Sequence, residues 1–226
     1  MKTNQNPRNS CSIPEASVYQ YAFELFDEVG VVRFPDREDC LLILGLEQTP
    51  ETDMDDFSIE FLPEEQNRRG DPPVRFHLDG FAKVVQPKLE KLSRYILRLG
   101  YQSELLSRYG YPNSSIPLKQ LAVKAGLGRQ GKHTVLLHPK YGPWLRLTAL
   151  KTNAPIQSTG PEEYLKEENP LCENCSACLQ ACPVEGLLTP YRLENPNLCL
   201  ASFNDAKYLD VRDGKVTAFC MKCLEA

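Results

Sequence analysis

Apolar side chains follow two different patterns along the first half of the chain. Residues 40–46 form a short continuous apolar run, which is typical of a buried strand. Residues 81–99 carry apolar side chains at helical spacing, with Pro87 as a kink position and Gly100 as a stop. The two patterns together predict an N-terminal part of mixed α and β structure.

Less regular patterns predict the remaining elements. A capping-box sequence with an early proline, residues 12–15, predicts a helix that continues to about residue 29. Residues 47–73 are acidic and then rich in Pro and Arg, which predicts a long surface excursion. The other predicted elements are a helix over residues 118–125 and two strands, over 134–138 and 145–150, that flank a turn at 139–143.

Seven of the nine cysteines fall into two motifs near the end of the sequence. The first motif is C-x2-C-x2-C-x3-C-P, a spacing that binds cubane iron–sulfur clusters, in which the fourth cysteine ligates a second cluster. Residues 220–226, CMKCLEA, repeat the spacing of residues 175–181, CSACLQA, and keep its Leu and Ala. The predicted ligands are Cys172, Cys175, Cys178, Cys182, Cys199, Cys220 and Cys223.

These ligands predict two [4Fe-4S] clusters, one of them short of a protein thiolate. Ligation that crosses between the motifs, as in two-cluster ferredoxins, completes one site with Cys182, Cys199, Cys220 and Cys223. The cluster of the first three cysteines then lacks a fourth ligand. The repeat predicts a cysteine directly after Ala226, where this sequence stops.

Disulfides and zinc are the alternatives for these cysteines. Disulfide frameworks suit short secreted domains, whereas the polar first ten residues predict a cytoplasmic protein with reduced thiols. Zinc sites commonly pair two C-x2-C units about fifteen to twenty residues apart, unlike this run. Outside the motifs, Cys40 is expected to be a buried small hydrophobe, and Cys11 is a remote alternative for the missing ligand.

Composition limits the architecture to a globular one. The 226 residues are 42% apolar and 25% charged, and no apolar run reaches the length that a membrane helix needs. This length accommodates one core and a small appended module. We therefore predict an α+β fold: a mixed α/β domain at residues 1–168, followed by a ferredoxin-like double-cluster module at residues 169–226.

Charge is strongly segregated along the chain. No acidic residue lies between Glu104 and Glu162, a stretch with a charge of +8, although the whole chain carries −4. This basic stretch has two interpretations: a solvated face, or a positive floor beside the clusters for an anionic substrate, cofactor or nucleic acid. Cations near a cluster also raise its reduction potential.

A glycine-rich sequence, G-x-G-x-x-G at residues 126–131, lies in the basic stretch. Dinucleotide-binding loops of this pattern follow a strand and open a helix, whereas this one follows a predicted helix and precedes a strand. Either it is a helix-ending turn that needs positive φ, or its backbone approaches a flat cofactor or a cluster. The candidate cofactor-binding residues are Gly126, Gly128, Arg129, Gly131, Lys132 and His133.

Residues 121–155, followed by the first cysteine motif, resemble epoxyqueuosine reductases and the related reductive dehalogenases. AGLGRQGKH at residues 125–133, YGP at 141–143 and RLTALKT at 146–152 carry the resemblance, which covers about residues 118–226. The resemblance implies a base-off cobalamin held against the α/β domain and fed with electrons by two clusters. Reductive cleavage would then remove an epoxide oxygen or a halide.

The chain departs from this family where the proton donor is expected. Epoxyqueuosine reductases carry an acidic residue just before the glycine loop, and residues 111–117 here contain none. Dehalogenases use a tyrosine with a basic partner, which makes Tyr109, Tyr111 and Lys119 the candidate catalytic residues. The Asp that follows the family's Thr is Asn153 in this chain.

Three functions stay open at this point. The first is a cobalamin-dependent oxidoreductase that is supplied by an electron donor such as ferredoxin or flavodoxin. The second is a non-catalytic, ferredoxin-type electron-transfer protein. The third is a relative that binds nucleic acid, such as tRNA, through the basic stretch.

Overall fold

The computed structural model describes residues 14–49, 51–52, 54, 58–61, 74–77, 79–106, 116–161, 169–193, 209–212, 215–218 and 221–226. Its helices are α1 (Pro14–Leu25), α2 (Gln86–Arg98), α3 (Leu118–Lys124), α4 (Ala177–Gln180) and α5 (Lys222–Glu225). Its strands are β1 (Glu28–Arg33), β2 (Cys40–Glu47), β3 (Ser58–Phe61), β4 (Val74–His77), β5 (Ser103–Leu105), β6 (Arg129–Gln130), β7 (Leu136–Leu137), β8 (Leu145–Thr152), β9 (Leu209–Arg212) and β10 (Lys215–Ala218). A π-helical turn, Phe81–Val85, leads into α2, and a 3-10 turn, Pro170–Cys172, precedes α4.

A four-stranded antiparallel sheet organises the N-terminal part. Its strand order is β1-β2-β8-β5. Strand β2 pairs with β8 from Cys40 opposite Thr152 to Glu47 opposite Leu145. The described strands also form three two-stranded pairs, β3 with β4, β6 with β7 and β9 with β10. The mixed α and β architecture predicted from the sequence is confirmed.

Helices cover both faces of the sheet, which explains the continuous apolar run of β2. Leu42 and Leu44 point into a core with α1 and α2, together with Leu89, Leu92 and other buried side chains. Leu41 and Ile43 point to the opposite face, into a core with α3 and Leu136. Because a strand alternates its side chains between two faces, a strand buried on both needs apolar residues throughout.

Segment 154–160, here called the edge strap, runs along the outer edge of β1. The Val31 amide donates to Thr159 Oγ1 (2.8 Å), and the Thr159 amide donates to the Val31 carbonyl (3.1 Å). Thr159 Oγ1 also donates to the carbonyl of Ala125 (2.7 Å), at the end of α3. The Arg33 guanidinium donates to the Ile156 carbonyl (3.2 Å). The edge strap therefore joins β1 to α3.

The structure corrects three sequence predictions. The first helix ends at Leu25 rather than near residue 29, because Glu28–Arg33, with three valines, pairs with β2 as strand β1. The predicted surface excursion contains strand β3, which pairs with β4 just beyond its end. The strand predicted over residues 134–138 shortens to β7 and pairs with β6, since β8 is engaged by β2 and β5.

Other predicted elements are confirmed. Strand β2 covers the apolar run, and α3 covers the predicted helix over residues 118–125. Helix α2 ends at Arg98, and Gly100 follows two residues later with a φ of +88°, as expected for a stop. Pro87 lies in the first turn of α2 instead of kinking its middle. Cys40 is fully buried, as expected for a small hydrophobe. Among the residues that the structure describes, no helix is both long and apolar enough to span a membrane.

Candidate metal centre

The structure describes five of the seven predicted ligands. Cys172 is buried, Cys175 is exposed, and Cys178, Cys182 and Cys223 are partly buried. Cys199 and Cys220 lie outside the described residues, as does Cys11. The five described thiols form no disulfide with one another.

The first three cysteines lie on one tight stretch of backbone. Asn169 caps the 3-10 turn, because its side chain accepts a hydrogen bond from the Leu171 amide (3.0 Å). The Cys175 amide donates to the Cys172 carbonyl (3.1 Å). Burial raises the pKa of the Cys178 thiol, and the neighbouring Cys172 and Cys175 raise it further. The three sulfurs are therefore within electrostatic reach of one another.

These thiols do not converge on a single point. Among the described residues, no group of three or more His, Cys, Asp or Glu side chains is arranged to hold one metal ion. Each thiolate of a cubane cluster binds a different iron atom, so a cluster does not require such convergence.

The sequence repeat between the two cysteine motifs is also a structural repeat. Ser176 before α4 has φ −127° and ψ 11°, and Met221 before α5 has φ −112° and ψ 11°. In both motifs, the amides three and four residues later donate to this residue's carbonyl at 2.8–3.1 Å. Helices α4 and α5 lie against each other. Two equivalent half-motifs that face each other are the arrangement expected for crossed ligation.

Cys182 carries a hydrogen bond suited to a thiolate ligand. Its sulfur accepts the amide hydrogen of Gly186 at 3.3 Å. Backbone N–H groups directed at sulfur are among the means by which proteins set cluster potentials. The sequence spacing and this hydrogen bond are compatible with iron–sulfur ligation, and the ligand set stays a prediction.

The glycine loop, residues 126–133, contacts the cysteine segment, residues 169–193. Lys132 Nζ donates to the carbonyls of Cys175 (2.8 Å) and Glu173 (3.3 Å). The Tyr191 amide donates to the Lys132 carbonyl (3.0 Å), and Gln130 Nε2 donates to the Tyr191 carbonyl (3.2 Å). Two regions that the sequence singled out separately are therefore adjacent in space.

At the three glycines of this loop, other atoms of the same chain occupy the space that a Cβ atom would need. Gly126 ends α3 with φ +80°, and Gly128 has φ +154°. A Cβ atom at Gly128 would lie 2.3 Å from the Leu137 carbonyl oxygen, and one at Gly131 would lie 2.7 Å from His133 Cε1. The helix-ending turn is thus the role that the structure gives Gly126, and these positions offer no cradle for a flat cofactor. The assignment of the loop to a cofactor stays a prediction.

His133 is a buried, neutral side chain. Its Nδ1 accepts the Val135 amide hydrogen (3.1 Å), which leaves the ring proton on Nε2. Burial, together with the positive charge of Lys119, lowers the pKa of His133 to about 4. The positive charge of the loop at neutral pH therefore comes from Arg129 and Lys132.

Three further cations of the basic stretch lie against other parts of the chain. Lys124 lies over the Phe34 ring (4.9 Å), and Lys140 lies over its neighbour Tyr141 (4.5 Å). Lys151, on β8, forms an ion pair with Glu104. These three cations thus have partners elsewhere, whereas Lys132 donates hydrogen bonds to the cysteine segment.

Of the three candidate catalytic residues, the structure describes Lys119. Tyr109 and Tyr111 lie outside the described residues, and Lys119 is on α3, close enough to His133 to affect its pKa. Asn153 has a structural role, since its side chain accepts the Gln102 amide hydrogen (2.7 Å). It lines a polar cleft of about 300 Å³ beside the loop between β1 and β2.

Sequence reasoning did not identify Asn169, Gln130 or Tyr191 as parts of this site. The Asn169-Pro170 pair is a recognisable capping signal, because Asn favours the N-cap and Pro the first turn. Tyr191 has φ +64°, a conformation that nothing in its sequence neighbourhood predicts. The contacts of Tyr191 with Gln130 and Lys132 form only when these distant segments come together in the folded chain.

Sequence comparison finds relatives that are named epoxyqueuosine reductase. No protein-family model matches the chain. The epoxyqueuosine reductase of Listeria monocytogenes is 36% identical over 97 residues, which cover 40% of this chain and 24% of the relative. That of Synechocystis is 31% identical over 121 residues, or 54% of this chain and 39% of the relative. The chain thus spans about a quarter to two-fifths of the curated relatives it matches.

Comparison with solved structures extends the likeness to the fold. An epoxyqueuosine reductase solved with a modified tRNA stem loop aligns with a TM-score of 0.58 and 15% identity, covering 86% of this chain and 60% of that one. The Streptococcus thermophilus epoxyqueuosine reductase also reaches 0.58, at 16% identity, over 93% and 64%. A B12-dependent reductive dehalogenase reaches 0.53, at 18% identity, over 80% and 27%. The resemblance inferred from the motifs is confirmed.

Proposed function

We propose that this chain is an iron–sulfur redox protein that passes single electrons through [4Fe-4S] clusters to a reductive reaction centre. The contact of Lys132 with the carbonyls of Glu173 and Cys175 is the observation that carries the proposal. This contact joins the predicted cluster ligands to the glycine loop of the α/β part. The sequence relatives named epoxyqueuosine reductase support a reductase rather than a purely structural cluster protein.

In this proposal the cysteines act as thiolates, and the glycine loop fixes their position. Gln130 and Lys132 of the glycine loop bind the cysteine segment at two places, Cys175 and Tyr191. A fixed separation between cluster and acceptor keeps the rate of electron transfer constant from one turnover to the next. The proposed ligands are Cys172, Cys175, Cys178, Cys182, Cys199, Cys220 and Cys223.

The reaction centre and the substrate are further parts of the proposal. A cobalamin, when bound, would supply low-valent cobalt for reductive cleavage of a bond in the substrate. The names of the relatives favour an epoxide in a modified tRNA nucleoside, and ferredoxin or flavodoxin in the cytoplasm would supply the electrons. The described glycine loop offers no cradle for the corrinoid, so no residue of that loop is assigned to the reaction centre.

A non-catalytic electron carrier is the second candidate function. Two observations favour it: residues 111–117 contain no acidic proton donor, and the loop glycines pack against the chain's own atoms. In a carrier, the same clusters would deliver electrons to a partner protein.

Anaerobic reconstitution with iron and sulfide tests the cluster proposal. Wild type should bind about eight irons per chain if both sites fill and about four if one does, with an EPR signal after reduction. Cys178→Ser should lose iron, whereas Cys40→Ala should retain it, because Cys40 is buried against the Ala154 carbonyl away from the motifs. Fewer than about one iron per chain in wild type would contradict the proposal.

Cobalamin addition then separates the enzyme from the carrier. For the enzyme, the corrinoid absorption spectrum should change on binding, and epoxyqueuosine-containing tRNA should reoxidise the reduced protein. For the carrier, the spectrum should stay unchanged, and only a redox partner should reoxidise the clusters.

A further inference from the structure

We infer that Lys132 is a clasp that holds the cysteine loop in place and raises the reduction potential of the adjacent cluster. The inference rests on the proposed iron–sulfur function and assigns one of its determinants to a single side chain. Lys132 Nζ donates to the Cys175 carbonyl at 2.8 Å and to the Glu173 carbonyl at 3.3 Å. These carbonyls flank Asn174, so one ammonium group fixes the turn between the first two cysteines.

The charge of Lys132 is not neutralised at this contact. Both acceptors are carbonyl oxygens, and Glu173 contributes its backbone rather than its carboxylate. No carboxylate of the described part of the chain forms an ion pair with Lys132. An anionic cluster on Cys175 would therefore face a full positive charge, which favours the reduced, more negative state.

The backbone that carries Lys132 is organised independently of the cysteine segment. The Gly131 amide donates to the Val135 carbonyl (2.9 Å), and the Thr134 amide donates to the Gly131 carbonyl (2.9 Å). Thr134 has φ +70°, an uncommon conformation for a β-branched residue, and the His133 ring accepts the Val135 amide hydrogen. These hydrogen bonds hold the tight turn that carries Lys132, despite the unfavourable φ of Thr134. The ammonium group is therefore in position before any cluster is present.

The backbone of Lys132 also contacts the cysteine segment. The Lys132 carbonyl accepts the Tyr191 amide hydrogen (3.0 Å), and the Tyr191 hydroxyl accepts that of Asn169 (3.2 Å). Lys132 thus contacts the cysteine segment through its side chain near Cys175 and through its backbone at Tyr191. The backbone contact survives a side-chain substitution, so a Lys132 variant should alter the clasp without detaching the whole segment.

The test compares Lys132→Gln, which removes the charge, with Lys132→Arg, which keeps it. Lys140→Gln is the control, because Lys140 is an exposed cation of the same basic stretch that is bonded to the Tyr141 hydroxyl. Cluster potentials are measured on anaerobically reconstituted protein by EPR-monitored titration. At a fixed solution potential, Lys132→Gln should raise the oxidised-to-reduced ratio about threefold, or about 28 mV for one electron. Lys132→Arg and Lys140→Gln should leave it unchanged.

A second readout follows the loop itself. Cleavage after Glu173 by a glutamate-specific protease, followed by mass spectrometry, should be several-fold faster in Lys132→Gln than in wild type and Lys132→Arg. Clusters in wild type with an unchanged potential in Lys132→Gln would overturn the inference and leave the proposed function intact. Wild type that binds no iron would contradict the proposed function. Equal cleavage rates in iron-free wild type and iron-free Lys132→Gln would overturn the clasp as well.

Discussion

Gly128 illustrates how much of this molecule depends on single residues. Its φ of +154° and the nearness of Leu137 mean that the loop backbone touches β7 where any other residue would place a side chain. The glycine pattern could be recognised in the sequence, but its purpose could not, because the neighbouring atoms belong to a strand of two residues. Packing against Leu137 is the demand for glycine that the structure shows at this position.

Gly128→Ala should lower the free energy of unfolding by about 2–3 kcal/mol, because it adds a backbone clash to an unfavourable φ. Gly100→Ala is the matched control, since Gly100 has φ +88° but open space around its missing Cβ. That variant should lose only about 1 kcal/mol in urea unfolding. Equal losses in the two variants would show that the contact with Leu137 has no energetic weight.

His133 should make the protein less stable in mild acid. Its pKa is about 4 in the folded chain and 6.5 when unperturbed, so the unfolded state takes up the proton first as the pH falls. Stability should therefore decrease between about pH 6.5 and pH 4, by roughly 2–3 kcal/mol from this residue.

Unfolding of metal-free protein at pH 7 and pH 4.5 measures this effect without a contribution from the clusters. His133→Gln should remove most of the decrease, whereas His77→Gln, at an exposed position, should retain it. A pH dependence that is the same in all three proteins would exclude His133 as its source.

At the scale of elements, the edge strap decides how β1 is held. Strand β1 lies at the edge of the sheet, and Thr159 gives its Val31 amide and carbonyl a partner on the outer side. The predicted first helix extended too far, into β1. The sequence pattern carries no information about the pairing of β1 with β2, which ends the helix earlier. The continuous run of β2 was predictable, since burial on both faces leaves a strong sequence pattern.

Thr159→Val should destabilise the protein by about 1–2 kcal/mol, because it removes hydrogen bonds to Ala125 and Val31 while keeping the side-chain volume. Thr159→Ser, which keeps the hydroxyl, should be close to wild type in urea unfolding. Hydrogen exchange of the Val31 amide should accelerate in Thr159→Val alone. An unchanged exchange rate would mean that the edge strap does not protect β1.

At the scale of the whole molecule, both cores of the sheet are built without the cysteine segment. Their buried residues lie between Val18 and Ile156. The cysteine spacing allowed the ligand set to be predicted from the sequence. The contacts of Gln130 and Lys132 with the cysteine segment could not be predicted, because they join residues 41 to 61 positions apart whose patterns are independent.

Iron removal should therefore leave the α/β part folded. Anaerobic chelation should change the far-UV circular dichroism little and shift the main thermal transition by only a few degrees. Hydrogen exchange should accelerate strongly in residues 169–193 and remain slow in β2 and β8. Cooperative unfolding of the sheet on chelation would show that the clusters hold both parts together.

The register of β2 and β8 has a consequence for the order in which the chain acquires structure during synthesis. Cys40 reaches the backbone 114 residues further along, and β8 occupies the position between β2 and β5. The ribosome must therefore deliver about two-thirds of these 226 residues before the sheet can close, and such distant pairing is slow. The cysteine motifs follow β8 in the sequence, so in the proposed iron–sulfur protein the last strand of the sheet is synthesised before any of the motif ligands.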